Sequence, residues 1–262
     1  MLLAVDVGNS QTVIGVFEGD DLVQHWRIST AEHRTPDELA LMFNGLMGFG
    51  DMSFTRNVHG LIISSVVPVV TEMLRVMSHK YFRFLPVIVG PGTRTGMALD
   101  VDNPREVGTD RLVAALAAYV KFSGPGIVVD FGTATSFDVY SAEGTFLGGA
   151  IAPGVATSVH ALSTRGAQLP RIELATPVHA IGRRTVEAMR SGAVYGFAGL
   201  VDRIVTELSV ELDADPVVVA TGGMAPPVLE ACATVAHHEP WLTLEGLRIV
   251  WERNTGTGDS HI

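Results

Sequence analysis

Residues 4–20, AVDVGNSQTVIGVFEGD, and residues 128–144, VVDFGTATSFDVYSAEG, are two versions of one pattern. An offset of 124 sets Val5 on Val129, Asp6 on Asp130 and Gly8 on Gly132, and it pairs the hydroxyl residues Thr12 and Ser136. In each copy an apolar run enters Asp-x-Gly, passes short polar residues and leaves through a second apolar run. The offset is close to half of the 262 residues, so the chain reads as a duplication with two similar halves. Each half must then open with a buried strand, turn tightly and return antiparallel, with the glycine expected to supply φ > 0. Small polar residues at the tip leave backbone N–H groups to meet an anion. The Asp at the strand end can hold a cation that bridges phosphates. For one copy alone, an ordinary hairpin turn with its Asp accepting turn N–H groups would suffice. Two copies at half-chain spacing favour the anion site.

Strands and helices alternate between and after the copies. Strand-like runs cover 12–17, 22–28, 58–64 and 86–90. Thr35 and Glu38 form a capping box with Pro36 at the first helical position, which predicts a helix to about Met47. Further helices are expected over 69–82 and, rich in alanine, from Asp110 to about Phe122. In the second half, strands are expected at 127–130, 134–140 and 145–151, helices at 154–163 and 184–209, and strands at 217–220 and 247–251. The strand ending at Ala220 runs into Thr221-Gly222-Gly223, then Pro226 and Pro227, a nucleotide-contact geometry when a helix follows. The expected domains are 1–117 and 118–254, with 255–262 a frayed tail.

Composition narrows the partners. Apolar residues make up 47% and charged residues 18%, so most of the chain can fold around a core. The formal charge of −10 argues against a nucleic-acid-binding or anionic-membrane surface. The uncharged run 144–164 carries glycines, Pro153 and His160 and is rejected as a membrane span. The single cysteine, Cys232, cannot form an intrachain disulfide, and no signal peptide precedes the first strand, so a cytoplasmic setting is expected. Cys232 itself reads as a small buried side chain. No Gly-Lys dipeptide supports a P-loop, and no Gly-x-Gly-x-x-Gly follows a strand. His237-His238-Glu239 reads as a solvated loop.

Paired Asp-x-Gly loops with a late Gly-Gly turn resemble the acetate and sugar kinase, Hsp70 and actin superfamily. Within it the chain is similar to the type III pantothenate kinases. The resemblance rests on Asp6-Val-Gly8-Asn9-Ser10-x-Thr12, on Asn103-Pro104-Arg105-Glu106-Val107-Gly108-Thr109-Asp110-Arg111, and on Asp130-Phe-Gly132-Thr133-Ala134-Thr135. It extends through Gly148-Gly149-Ala150-Ile151-Ala152-Pro153-Gly154, Gly182-Arg-Arg-Thr185, Thr221-Gly222-Gly223 and Leu242-Thr-Leu-Glu-Gly-Leu-Arg, in order over residues 1–254.

The resemblance implies an α/β fold of two duplicated ribonuclease H-like (actin-like) domains, with mixed sheets flanked by helices. It implies ATP-dependent phosphorylation of pantothenate to 4'-phosphopantothenate, the first step towards coenzyme A. By resemblance Asp110 is the base that accepts the proton of the pantothenate hydroxyl, and Gly108, Thr109, Arg111 and Thr185 bind pantothenate. From the residues alone, Asp110 could equally cap the helix that follows it. Asp6, Val7, Gly8, Asn9, Ser10, Gln11, Thr12 and Val13 would form the first phosphate loop, with Asp6 near Mg2+. Gly132 and Thr133 would form the second, and Gly222 and Gly223 the adenosine turn. Asp130 is the family's position for a monovalent cation, K+ or ammonium. Family members are homodimers with the acceptor pocket at the subunit interface, and 191–201 (SGAVYGFAGLV) suits an interface helix or a core equally. Three positions depart from the family: Thr109 for the usual Ala, Arg184 for Asn or Asp, and Val101 where some members carry Tyr. The competing readings are a non-catalytic regulator like the Bvg accessory factor, and a kinase of the same superfamily with another acceptor.

Overall fold

The structure is a computed structural model that describes residues 1–166 and 168–256. The described chain forms two compact units. The first comprises Met1–Gly96, Arg105–Ala117 and the segment from Thr243 onward; the second comprises Met97–Pro104 and Ala118–Leu242. One division falls between Ala117 and Ala118, the segment 97–104 joins the second unit, and the chain after 243 returns to the first. Of the expected tail, residues 257–262 lie outside the described residues, and Thr255 still belongs to a helix.

In chain order the first unit opens with strands β1 (Leu2–Val7), β2 (Gln11–Glu18) and β3 (Asp21–Ser29), then helices α1 (Pro36–Gly48) and α2 (Phe54–Asn57). Strand β4 (Gly60–Ser65), helix α3 (Pro68–Tyr81) and strand β5 (Val87–Ile88) follow. Strand β6 (Ala98–Leu99) and a 3-10 turn at Pro104–Glu106 lead to helix α4 (Thr109–Phe122), which starts in the first unit and ends in the second. The second unit continues with strands β7 (Gly126–Phe131), β8 (Ala134–Tyr140) and β9 (Thr145–Pro153) and helices α5 (Val155–Arg165) and α6 (Thr185–Leu212). Strand β10 (Val217–Thr221), helix α7 (Pro226–Leu229), strand β11 (His237–His238) and helix α8 (Leu242–Thr255) complete the chain.

The two sheets have one topology. The first runs β3-β2-β1-β4-β5, and the second runs β9-β8-β7-β10-β11 with β6 added outside β9. In each, the first three strands form an antiparallel meander, and a parallel strand (β4 or β10) lies against the other side of the first. Strands β1 and β7 begin at Leu2 and Gly126, the offset of 124 seen in the sequence. The first turn is one residue shorter in the second copy: four residues separate Val7 from its partner Thr12, and three separate Phe131 from Thr135. Register therefore makes Thr135, not Ser136, the counterpart of Thr12. Bulges at Val16/Phe17 and Val139/Tyr140 fall at equivalent places.

The first core forms where Leu3, Val5, Val7, Ile14, Val16, Leu61 and Ile63 meet Leu39, Phe43 and Met47 of α1 and Val70, Leu74 and Met77 of α3. Burying each of these large side chains contributes about 1.5–3 kcal/mol. The capping box opens α1 as expected: the Thr35 N–H donates to Glu38 Oε2 at 2.7 Å, and the Glu38 N–H donates to Thr35 Oγ1 at 3.3 Å. The Thr35 backbone bond, foremost, holds the Glu38 carboxyl below its ordinary range. On the opposite sheet face lies α8, in place of the strand expected at 247–251. Its buried residues Leu244, Leu247 and Val250 recur at helical spacing. Gly15 and Gly60 leave room for it, since a Cβ at either would run into Leu244 or Trp251.

The second core joins Ile127, Val129, Phe131, Phe137 and Val139 to Val155 of α5 and Ala198, Val201 and Val205 of α6. Within 191–201, Ser191, Val194, Ala198 and Val201 are buried while Gly192, Tyr195, Gly196 and Gly199 are exposed, so one face is core and the other is bare. On the other sheet face the Tyr140 ring stands edge-on to Tyr119 with centroids 5.9 Å apart. His237 and His238 form a short exposed strand on β10, not a loop, with His237 stacked on Phe122. Cys232 is half-buried, its thiol donating to Val228 O at 3.5 Å, and burial pushes its pKa up to about 11. Among the described residues, no helix is long and apolar enough to cross a membrane.

Candidate functional site

Both candidate phosphate loops grow from the carboxyl end of a buried strand. β1 and β7 share one burial pattern, in which the acidic residue, Asp6 or Asp130, is the single position not fully buried. There a carboxylate keeps a path out of the core and can reach a ligand. Neither Gly8 nor Gly132 has positive φ, contrary to the sequence expectation. Space constrains Gly8, where a Cβ would stand a tight 3.1 Å from Gln11 O, while one at Gly132 would stand at an ordinary contact distance of 3.4 Å from Ala134 O. These close approaches come from the Gly8 N–H donating to Gln11 O at 3.0 Å and the Gly132 N–H donating to Ala134 O at 2.9 Å.

In the first unit Asn9, Ser10 and Gln11 form an exposed tip. Thr30, directly after β3, clamps that tip. Its N–H donates to Ser10 O at 3.1 Å and its hydroxyl donates to Gly8 O at 2.7 Å. The Thr30 proton being committed, the 2.9 Å contact between Thr12 Oγ1 and Thr30 Oγ1 has Thr12 as donor. Thr12 is 4% exposed, and its hydroxyl serves the clamp. The sequence reading missed Thr30, although the offset of 124 places it opposite Gly154, another residue that closes a loop.

Residues Gly108–Arg111 lie at the start of α4 in the same unit. Gly108 O accepts the N–H of Leu112 at 3.1 Å, so Gly108 holds the cap position and Asp110 lies within the first turn, not at the cap. Asp110 Oδ1 accepts the Arg111 N–H at 2.9 Å and folds over Gly108, where a Cβ would stand 2.5 Å away. An acidic group there complements the positive end of the helix. Thr109 directs its hydroxyl to Ser64 Oγ, 2.9 Å away on β4. In the parallel β1–β4 pairing Ser64 is the register partner of Asp6.

In the second unit three segments meet at the carboxyl ends of β7 and β10. The tip Gly132-Thr133 is held from α5: the Gly154 N–H and the Thr157 hydroxyl both donate to Thr133 O, at 3.2 and 2.7 Å. Gly154 caps α5 without a side-chain bond, so the positive end of that helix lies beside the loop. The Gly222 turn lies against β7, with the Met224 N–H donating to Phe131 O at 3.2 Å. Here positive φ is real: Gly222 has φ 93°, and a Cβ would run into Asp130 Oδ1 and the Phe131 N–H. Thr185 is exposed at the first position of α6, preceded by Arg184, whose side chain does not cap the helix. The structure thus brings Asp130, Gly132, Thr133, Gly222 and Gly223 together in the second unit, while Asp6, the first loop and Gly108–Arg111 belong to the first. Among the described residues, no group of three or more His, Cys, Asp or Glu side chains could hold a metal ion by itself.

The sequence model of type III pantothenate kinase matches residues 2–207. The chain is 53% identical over 261 residues to the type III pantothenate kinase of Streptomyces avermitilis, covering 97% of this chain and 98% of that one. Among solved structures it resembles a conserved Baf family protein from Campylobacter jejuni, with TM-score 0.61, 18% identity and coverage of 97% of this chain and 99% of the other. It also resembles the ROK hexokinase of Thermus thermophilus, with TM-score 0.51, 14% identity and coverage of 98% and 99%. At such identities the two structures speak for the fold, which is the two-domain kinase and actin type.

Proposed function

The chain belongs to the type III pantothenate kinase family, and from that premise we propose how its residues share the work of phosphorylating pantothenate with ATP. The observation that carries the activity is identity of about half the residues over nearly the whole length of kinases of this name. Those relatives favour the enzyme over a regulator and over another acceptor.

Asp110 is the base. It accepts the proton of the pantothenate hydroxyl while that oxygen forms its bond to the γ-phosphorus and the bond to the departing ADP oxygen breaks. Little proton transfer is needed before P–O cleavage in a loose transition state, so a carboxylate suffices. Arg111 pairs with the substrate carboxylate through its planar fork, and Thr185 closes over pantothenate. The loops 8–11 and 132–133 present backbone N–H groups to the phosphates, and Gly222-Gly223 lies under the adenosine. The residues fit Mg2+ held jointly with nucleotide: Asp6 would supply one carboxylate, with phosphate oxygens and waters as the other ligands, the usual arrangement for this ion. When bound, Mg2+ neutralises charge on the phosphates. Asp130, with the Gly222 turn packed against its carboxylate, is the proposed position for K+ or ammonium.

A homodimer is proposed as well. Ile151, Leu162, Val178, Ile181 and Tyr195, all in the second unit, are 46–89% exposed and are the residues we propose for the subunit interface. Light scattering tests it; a monomer at micromolar concentration would remove that part.

The activity is tested by following ADP release with ATP, Mg2+ and pantothenate, with and without K+ or ammonium. We expect turnover only with pantothenate and acceleration by the monovalent ion. Asp110→Asn should abolish turnover while the variant still folds and binds ATP. Absence of turnover in every buffer would overturn the kinase reading, and a fully active Asp110→Asn would overturn the base assignment.

A further inference from the structure

Ser64 is not among the residues that the family resemblance marks. It is 0% exposed, at the end of β4, and lies on the same sheet face as Asp6, since Leu61 and Ile63 turn to the opposite face and into the core. A buried hydroxyl needs a partner, and Ser64 finds it in the Thr109 hydroxyl at 2.9 Å. Thr109 stands where the family usually has Ala. The pair therefore ties the first residue of α4 to the strand beside Asp6. Asp110 is the next residue, already bound to its own helix end through the Arg111 N–H.

We infer that Ser64, acting through Thr109, is a positioning residue for Asp110, fixing the start of α4 against the strand pair that carries the first phosphate loop. The inference rests on Asp110 being the base. The base must meet the acceptor hydroxyl within hydrogen-bond distance, and displacement by about 1 Å can cost as much as 100-fold in rate. The pair also resists simple truncation. Thr109→Ala leaves the Ser64 hydroxyl buried without its partner, Ser64→Ala takes the partner from the part-buried Thr109 hydroxyl, and local rearrangement there moves the helix start.

The test measures kcat, the KM for ATP and the KM for pantothenate in Ser64→Ala, Thr109→Ala, Thr109→Ser, the Ser64→Ala/Thr109→Ala double variant and Asp110→Asn. Assays run well below each variant's Tm. Both single Ala variants should lower kcat about tenfold, with the KM for ATP within about twofold, a loss that spares nucleotide binding. Thr109→Ser, which keeps the hydroxyl, should restore kcat. The double variant should be no slower than the worse single variant, because the pair acts as one unit. Should an Ala variant fail to fold, Thr109→Val and Thr109→Ser carry the comparison. Wild-type kcat in Ser64→Ala and Thr109→Ala beside a dead Asp110→Asn would overturn this inference alone. So would a rise in KM for ATP at unchanged kcat. An active Asp110→Asn would overturn the base reading, and the inference with it.

Discussion

The Thr30 clamp can be tested by one substitution, Thr30→Val, which keeps the side-chain shape and removes the hydroxyl. Two hydrogen bonds disappear, the 2.7 Å bond to Gly8 O and the 2.9 Å bond received from Thr12. Each is worth about 1 kcal/mol net, and the Thr12 hydroxyl is left buried with no acceptor, which can add about 1 kcal/mol more. The loss is then about 2–3 kcal/mol, a fall in Tm of roughly 4–10 °C for a protein of this size. The Thr30 N–H still reaches Ser10 O, so the loop keeps one anchor and the variant should fold. Part of the loss should reappear on nucleotide binding, because a loosened tip must be ordered when ATP arrives. A share of 1–2 kcal/mol corresponds to a KM for ATP about 5–30-fold higher. Thr30→Ser should behave nearly as the wild type. Differential scanning fluorimetry and ATP-dependent kinetics decide the matter. A Thr30→Val protein with unchanged Tm and unchanged KM for ATP would refute the clamp.

Two further substitutions examine the second unit and the left-handed turn. Gly222→Ala places a Cβ against Asp130 Oδ1 and the Phe131 backbone at φ 93°, so it should lower stability by more than 2 kcal/mol, on the order of a strained and clashing site, and weaken ATP binding. Gly45→Ala, at a helical position with open space around it, should be neutral or gain about 0.5–1 kcal/mol in urea denaturation, and equal losses in both variants would contradict the steric argument. Tyr140→Phe removes a hydroxyl that is buried without a hydrogen-bond partner and whose pKa burial pushes up to about 12. The fold therefore favours the neutral phenol: its contribution is complete below pH 10.0 and is lost as pH rises through about 12. Tyr140→Phe should match or exceed wild-type stability at pH 8 and exceed it increasingly from pH 10 to 12; a wild type that keeps pace over that range would place the hydroxyl in a solvated setting.

What could be read from the sequence was what depends on neighbours in the chain. The box at Thr35 and Glu38, the apolar entry into each Asp-x-Gly and the meander strands are local, and all appear in the fold. The misread segment is instructive. Ile249, Val250 and Trp251 are strand-forming types in a row, and Gly246 weakens a helix by about 1 kcal/mol. Yet Gly246 is there because a Cβ would strike the Val113 backbone, a tertiary demand that local sequence cannot show. Gly8 and Gly132 were assigned the correct turn for the wrong reason. Neither has left-handed backbone, and of the two only Gly8 is pressed for room, beside the Gln11 carbonyl. The two-residue strands β6 and β11 are too short for any periodicity, and the Ser64–Thr109 bond joins residues 45 apart through a fold that must already exist.

The duplication accounts for the similarity of the two loops, and also for how they differ. Thr30 and Gly154 each follow the third strand of a meander, and each backbone N–H closes the tip, onto Ser10 O and Thr133 O respectively. The second tip is one residue shorter, and the chain there passes so close that a Cβ at position 154 would strike the carbonyls of Thr133 and Gly132. A threonine cannot fit at that position. The hydroxyl that Thr30 supplies in the first copy comes instead from Thr157, one turn into α5, and it binds Thr133 O at 2.7 Å. In both copies, then, a backbone N–H and a threonine hydroxyl hold loop carbonyls and turn them inward, which leaves the remaining N–H groups of the tip for an outside acceptor. Shortening the tip also brings the start of α5 against the loop, so the second copy adds a helix N-terminus that the first copy lacks. The halves have kept the same strand-end carboxylate, but its surroundings differ: beside Ser64 and the α4 start in one unit, beside the Gly222 turn in the other.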